Sequence, residues 1–374
     1  MASSFRLLID GAPAADDLLG AMRALEVEEN ADLPDAFRLD LAVTAREGEL
    51  DFPSDERLKP FANVAVVAAL EDGPPACIFD GYVLSHRLHL ETGVVASTLE
   101  VWGQDASWLM NLEEKVREWV DVTDAQVAAA VFGDYGISPS SRNSDEDSPS
   151  HVEDGHTLMQ RSSDIQFLRD LARRNGKLCR VACEDEPGRR VGWFAAPRLD
   201  AEPVATIKLN DPEAPTLDAL DIDWDVARPT AAIASQALFT DDDPDGVAGD
   251  ADDGGFDPLD QRDLVTFAGK PMTVLLTTTV DDAGELSLRT TSLLREAGWF
   301  VRCEGEADVN RLGVVPRVGD VVALEGLGSL HSGRYLVWSA RHRITADAHR
   351  VRLVLRRNAV GPAPTGGGLL GGLL

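Results

Sequence analysis

The segment Ser162–Asp185, SSDIQFLRDLARRNGKLCRVACED, carries Cys179 and Cys183 only four residues apart. On a strand that spacing puts both thiols on one face, with Val181 between them. Two thiolates are half of a metal site, which needs two more thiolate or imidazole ligands. The other reading is two small buried side chains in a half-polar strand. Cys77 and Cys303 are distant in sequence and no CxxC occurs, so packing is the favoured reading. A second candidate is DIDWDVA, where alternation sets Asp221, Asp223 and Asp225 on one face and Ile222, Trp224 and Val226 on the other. Paired carboxylates can do glycosidase chemistry. Three in a row on one strand read first as the solvent side of a half-buried sheet. A third candidate is Asp241, Asp243, Asp245 and Gly246, which follow the opening of a calcium loop with Asp252 at the twelfth position. Pro244, the missing bidentate glutamate and the lack of a clear flanking helix favour a solvated acidic insertion.

The histidines add little. His86 and His89 form an HxxH, but three residues apart on a strand they point to opposite faces. His151 and His156 fall in a polar stretch where no preorganised site is expected. There is no GxSxG, HExxH, P-loop or GxGxxG motif. No catalytic, cofactor-binding or metal-ligating residue is assigned, no cofactor is expected, and the chain reads as a structural or binding protein, not an enzyme.

The 374 residues allow two or three domains. Their 64 acidic against 35 basic side chains give a net charge of -29. Such a chain repels nucleic acid and anionic membrane surfaces, so neither a specific nucleic-acid partner nor a membrane anchor is expected. The opening MASSFRLLIDG has no basic n-region or long apolar run, which predicts synthesis and folding in the cytoplasm.

The elements that would position these residues are mostly strands. AFRLDLAVT alternates, with Phe37, Leu39, Leu41 and Val43 against Arg38, Asp40 and Thr44. Val64–Gly73 reads as a buried strand, and Phe79–Gly103 as a long hairpin turning near Glu91–Gly93. Thr123 with Gln126 predicts a capping box opening a short helix, and Ser163 with Gln166 a second one. Ile165, Leu168, Leu171 and Ala172 form the apolar stripe of that second helix, which Asn175-Gly176 ends before a strand. Between the helices lies a Pro/Ser-rich polar loop.

Two distant stretches match. VVAAL (Val66–Leu70) is followed by Glu71, a Gly-rich turn, Gly81, Tyr82 and a long hairpin. VVAL (Val321–Leu324) is followed by Glu325, a Gly-rich turn, Gly333, Tyr335 and another hairpin, with Ser85-His86-Arg87 near the place of Ser339-Ala340-Arg341-His342. Recurrence in fixed order predicts two related β-domains with the helical unit between them.

The order of these pieces resembles the hub proteins of contractile tails and injection systems, including phage late-control D proteins, baseplate hubs and the N-terminal part of VgrG spikes. The resemblance rests on LEVEENADLPDAFRLDL, IFDGYVLSHRLHL with STLEVWGQDASWLMNL, DIQFLRDLARRNGKLCRV and LEGLGSLHSGRYLVWSARHRI. It implies a mainly β fold with an α/β insert: two related, tail-tube-like β-barrel domains flanking a small α/β domain. The expected boundaries are a first barrel over 1–103, a middle domain over 104–204 with a flexible loop at 138–155, a second barrel over 205–359 with an acidic insertion at 241–256, and a flexible Gly/Leu tail over 360–374. It implies a homotrimer that adapts a sixfold inner tail tube to a trimeric spike, within a phage tail or tail-like particle. Its partners would be itself, the inner tube protein, a separate spike or tip protein and other baseplate components. Alternatives are a baseplate-associated cell-wall hydrolase using Asp221 with Asp223, and a calcium- or carbohydrate-binding β-module.

Overall fold

The structure, a computed structural model, describes residues 3–46, 49–70, 73–92, 96–143, 148–152, 157–209, 211, 215–236, 247–278, 280 and 283–362. The first β-module is built from β1 (Ser3–Ile9), β2 (Met22–Asn30), β3 (Ala36–Ala42), β4 (Asn63–Leu70), β5 (Ala76–His89) and β6 (Thr98–Asp105). Their hydrogen-bonded order is β2-β3-β6-β5-β4-β1. Alternation sets the buried face: Phe37, Leu39 and Leu41 point inward and their neighbours outward. Leu7 and Ile9 of β1, at one end of that order, share a core with Leu25 and Val27 of β2 at the other, so the sheet curls around its own apolar centre. A side chain at Gly81 or Gly103 would collide with the backbone of the facing strand, which explains the glycines where β5 and β6 approach closely.

Two helices and two short sheets follow. Helix α1 (Asp124–Asp134) opens with the expected capping box, Thr123 accepting from the Gln126 amide and Gln126 from the Thr123 amide. Helix α2 (Asp164–Arg174) lacks the second one: Ser163 makes no capping bond, and its hydroxyl donates to Asn111 at 2.6 Å instead. Ile165, Leu168, Leu171 and Ala172 are buried as their spacing predicts, and Gly176 takes φ +60° after the C-cap Asn175. Around the helices, β7 (Glu114–Trp119) pairs with β8 (Leu158–Ser163), and β9 (Leu178–Cys183) with β10 (Arg190–Ala195). The polar loop between the helices is less irregular than expected. Ser138–Pro139 pairs with β10, and Ser150–His151 with Val122–Thr123.

The second β-module contains β11 (Thr206–Lys208) and β12 (Leu217–Trp224) and, after an excursion, β16 (Val301–Asp308), β17 (Val321–Glu325), β18 (Gly333–Ile344) and β19 (His349–Arg357). The excursion is a small α/β lobe: β13 (Ala231–Gln236) pairs with β14 (Val247–Ala251) and β15 (Thr273–Leu276), and α3 (Ala283–Ala297) packs on them. Within the expected acidic insertion over 241–256, residues 247–251 form a strand of this lobe, and residues 241–246 lie outside the described residues.

The second module's order is β12-β16-β19-β18-β17-β11, the same as that of the first. Two of the bulges repeat as well, whereas the β4–β5 slip between Val66 and Val67 has no counterpart in β17–β18. The β5–β6 register slips between Val83 and Ser85, and the β18–β19 register between Val337 and Ser339. The β2–β3 register slips between Met22 and Ala24, and the β12–β16 register between Leu217 and Ala219. Each extra residue is a local backbone decision, so coincidence at two places in the same strand order is the signature of one module used twice. The copies differ at the last strand, where β1 pairs antiparallel and β11 parallel. Strand β18 also pairs with β2, which fuses the modules into one thirteen-stranded sheet.

Candidate assembly surface

The sequence candidates do not converge. Cys179 is free and buried, and burial pushes its thiol up to about 12. Cys183 is bonded to Cys77 on β5, with Cα atoms 5.7 Å apart. This corrects the reading of the two cysteines as a mere packing pair: the bond ties the first module to the middle unit. Asp221 and Asp223 lie exposed on β12, opposite Glu304 and Arg302 of β16. Asp241, Asp243, Asp245 and Gly246 lie outside the described residues, as does His156, while Asp252 is exposed beyond β14. His151 is not on a loose loop. It is buried, with its Nε2 at 2.7 Å from Asp124, whose other oxygen accepts from Asn175 at 2.7 Å. Among the described residues no group of three or more His, Cys, Asp or Glu side chains is placed to hold a metal ion. None of the described helices is long and apolar enough to cross a membrane.

A buried charge cluster locks the three units together. Arg180 of β9 donates to Glu29 of β2 at 3.1 Å and to Asp35 at 2.7 Å. Arg317, just before β17, donates to the other Glu29 oxygen at 2.6 Å and to the Cys183 carbonyl at 2.9 Å. Burial works against the Glu29 charge, but two guanidiniums outweigh it and hold its carboxyl below the usual range. Asp35 has one arginine and two carboxylate neighbours, Glu29 and Asp105, so burial pushes it up to about 7. Sequence reading missed the cluster, although a signal was present: in MRALEVEEN, alternation puts Glu29 on the same face as Leu25 and Val27. A carboxylate on the apolar side of a strand demands a buried cation.

With the units fixed, β5 and β12 each leave a strand edge open among the described residues. Strand β5 pairs with β6 over Gly81–His89 on one edge, and with β4 only over Ala76–Tyr82 on the other. Beyond that point the edge from Ser85 to His89 has no strand partner among the described residues, and Leu88 and Leu90 are 40% and 55% exposed. Strand β12 ends the sheet on the far side, pairs only with β16, and leaves Trp224 51% exposed. Open apolar edges invite another strand.

A family model, that of the Alg8 N-terminal domain, matches residues 23–236. The chain belongs to the Alg8 N-terminal domain family. The match runs from β2 of this Alg8-family protein through the middle unit to the end of β13. No curated protein matches the sequence. Solved structures match in fold. A 43 kDa tail protein of prophage MuSo2 from Shewanella oneidensis superposes with a TM-score of 0.66 at 14% identity, over 96% of this chain and 100% of that one. A tail protein of Neisseria meningitidis gives 0.63 at 15% identity, over 96% and 97%. An E. coli component of the type VI secretion system, described as structurally similar to T4 bacteriophage tail proteins, gives 0.54 at 10% identity, over 97% and 80%. At these identities the likeness establishes the fold of the Alg8-family chain: mainly β, with large antiparallel sheets and an α/β insert, as in tail proteins.

Proposed function

We propose that this protein is the structural hub of a phage tail or contractile injection-system baseplate, resembling late-control D and VgrG hubs, and that it works as a homotrimer. Two like modules per chain give six around a threefold axis. A sixfold inner tail tube can then sit on one side and a trimeric spike, a separate chain, on the other. The observation that carries this reading is the repetition of strand order and bulge position in two modules held rigidly together. A threefold assembly that presents six like modules needs that duplication.

The hub binds and aligns parts without turning over substrate. Its partners are its own copies, the tube protein, the spike or tip protein and other baseplate components. The exposed carboxylates of β12 sit on an open strand, which supports pairing better than hydrolysis. The chain is made in the cytoplasm and ends in a tail or tail-like particle, and the Cys77–Cys183 bond suits a particle that leaves the reducing cell interior. The boundaries proposed are 1–103 and 205–359 for the modules and 104–204 for the middle domain. Light scattering after size exclusion tests the reading. It predicts three times the 40.3 kDa chain mass, and a stable monomer at high concentration contradicts it.

A further inference from the structure

We infer that the open edge of β5 is completed by β12 of a second copy of this chain, in the register that β18 keeps with β2. The inference rests on the hub reading above and specifies the contact between its chains. The repeated bulges fix the correspondence between modules. Ser85 takes the place of Ser339, so Arg87 matches Arg341, Leu88 matches His342, and Leu90 matches Ile344. Likewise Ala219 takes the place of Ala24, so Leu220 matches Leu25, Asp221 matches Glu26, Ile222 matches Val27, and Asp223 matches Glu28.

Inside one chain the seam is already built. Strand β18 runs antiparallel to β2, with Arg341 opposite Glu28, His342 opposite Val27, Arg343 opposite Glu26 and Ile344 opposite Leu25. Arg341 Nε donates to Glu28 at 2.9 Å, and Arg343 lies 3.7 Å from Glu26. Carrying this register to the open edges puts Arg87 opposite Asp223 and His89 opposite Asp221 of the next chain. It also puts Leu88 opposite Ile222 and Leu90 opposite Leu220.

At the outward positions Arg87 meets one carboxylate and the His89 imidazole, which also lies 3.1 Å from Glu91 of its own chain, meets the other, and apolar meets apolar at both inward ones. None of these pairings was used in deriving the register. Exposure agrees. His342 and Ile344 are 0% and 3% exposed because the first module covers them, whereas Leu88 and Leu90 at the matching places are 40% and 55% exposed. The exposed Asp221–Asp223 ladder thereby gains a role as the acidic half of a strand-to-strand interface. Adding a strand in this way satisfies backbone groups along both edges while the side chains select the register. The same head-to-tail step, repeated, closes a ring of modules. A strand of the tube protein on β5 is the competing occupant.

Cysteine pairing in the purified full chain tests this. Residues directly opposite on antiparallel strands have Cβ atoms about 4.5–5.5 Å apart, near the range a disulfide bridges. The double variant Leu88→Cys/Ile222→Cys is expected to form interchain disulfides on mild oxidation, giving covalent species up to the trimer on a non-reducing gel. The off-register double variant Arg87→Cys/Ile222→Cys is expected to give at least tenfold less. A second test avoids cysteine: Arg87→Glu raises the monomer fraction at fixed concentration, and adding Asp223→Arg restores the trimer. A trimer in which the in-register pair fails to link, links no better than the off-register pair, or shows no rescue by the charge swap overturns the seam and leaves the hub standing. A chain that is monomeric throughout overturns the hub and the seam with it.

Discussion

Arg180 and Glu29 lie 3.1 Å apart with almost no solvent contact, although 151 residues separate them in sequence. One is on the middle unit and the other on the strand that joins the two β-modules. The relative placement of modules and insert is therefore set by charge and geometry together. The cost of burying Arg180, Arg317 and Glu29 as ions has to be met by their mutual pairing.

Replacing Arg180 with methionine leaves Asp35 buried without its cation. The expected loss of stability is about 3–5 kcal/mol, the usual consequence of breaking one side of a buried pair. Replacing the exposed Arg343 with alanine is expected to cost within about 0.5 kcal/mol, because solvent screens its pairing with Glu26. Urea unfolding of both variants checks the contrast, and equal losses would argue against a buried cluster.

The Cys77–Cys183 bond spans 106 residues. Cross-linking a loop of that size restricts the unfolded chain, and typical disulfides contribute about 2–4 kcal/mol. Reduction is expected to lower the unfolding midpoint, with no further effect of reductant on a Cys77→Ala/Cys183→Ala variant. Peptide mapping without reductant should recover Cys77 and Cys183 in one linked species and Cys303 as a free thiol.

A pair of imidazoles gives a pH signature. His342 and His349 face each other at 3.0 Å, and burial pulls them from 6.5 down to about 4 and about 3. Below about pH 6.5 the unfolded chain takes up protons on both rings that the folded chain refuses, so their contribution to stability falls as the pH drops toward 4. Asp35 acts with the opposite sign. Raised to about 7, it is protonated in the folded chain while the unfolded chain stays ionised down to 3.8, so falling pH favours the fold. Comparing the protein with a His349→Gln variant removes the carboxylate contributions common to both. The stability difference should narrow in the variant's favour by about 1.4 kcal/mol per pH unit between pH 6 and 5. A difference independent of pH would mean that His349 is solvated.

The two helix starts separate a true cap from a lookalike. Thr123→Ala should cost about 1 kcal/mol, with Thr123→Ser recovering most of it, because the oxygen caps the Gln126 amide. At Ser163 the hydroxyl serves Asn111, so Ser163→Asp, an equally good N-cap, should not stabilise the protein. Thermal melts of the three variants decide between these outcomes.

Much of the architecture was legible in local pattern. Alternation at Phe37, Leu39 and Leu41 and the helical stripe at Ile165, Leu168 and Leu171 need no tertiary information, and all six are buried. The recurrence of VVAAL and VVAL marked β4 and β17 before any coordinates. What escaped was decided at long range or against propensity. Helix α3 passes through Thr290-Thr291-Ser292, whose residues form helices weakly, and it is held by burial of Leu286 and Leu294. The Cys77–Cys183 bond depends on two strands meeting across 106 residues, which no spacing rule contains. His151 sits in a polar stretch whose order comes from Asp124 on another element. At the β12 carboxylates the alternation was readable, but their use requires the register of a seam elsewhere in the fold.

Cryo-electron microscopy of the purified protein tests the central claim most directly. The account predicts a closed ring of three chains in which six β-modules alternate between two sequence copies, with β5 of each chain continuing into β12 of the next. Isolated chains, or a ring whose chains meet through other surfaces, would contradict it.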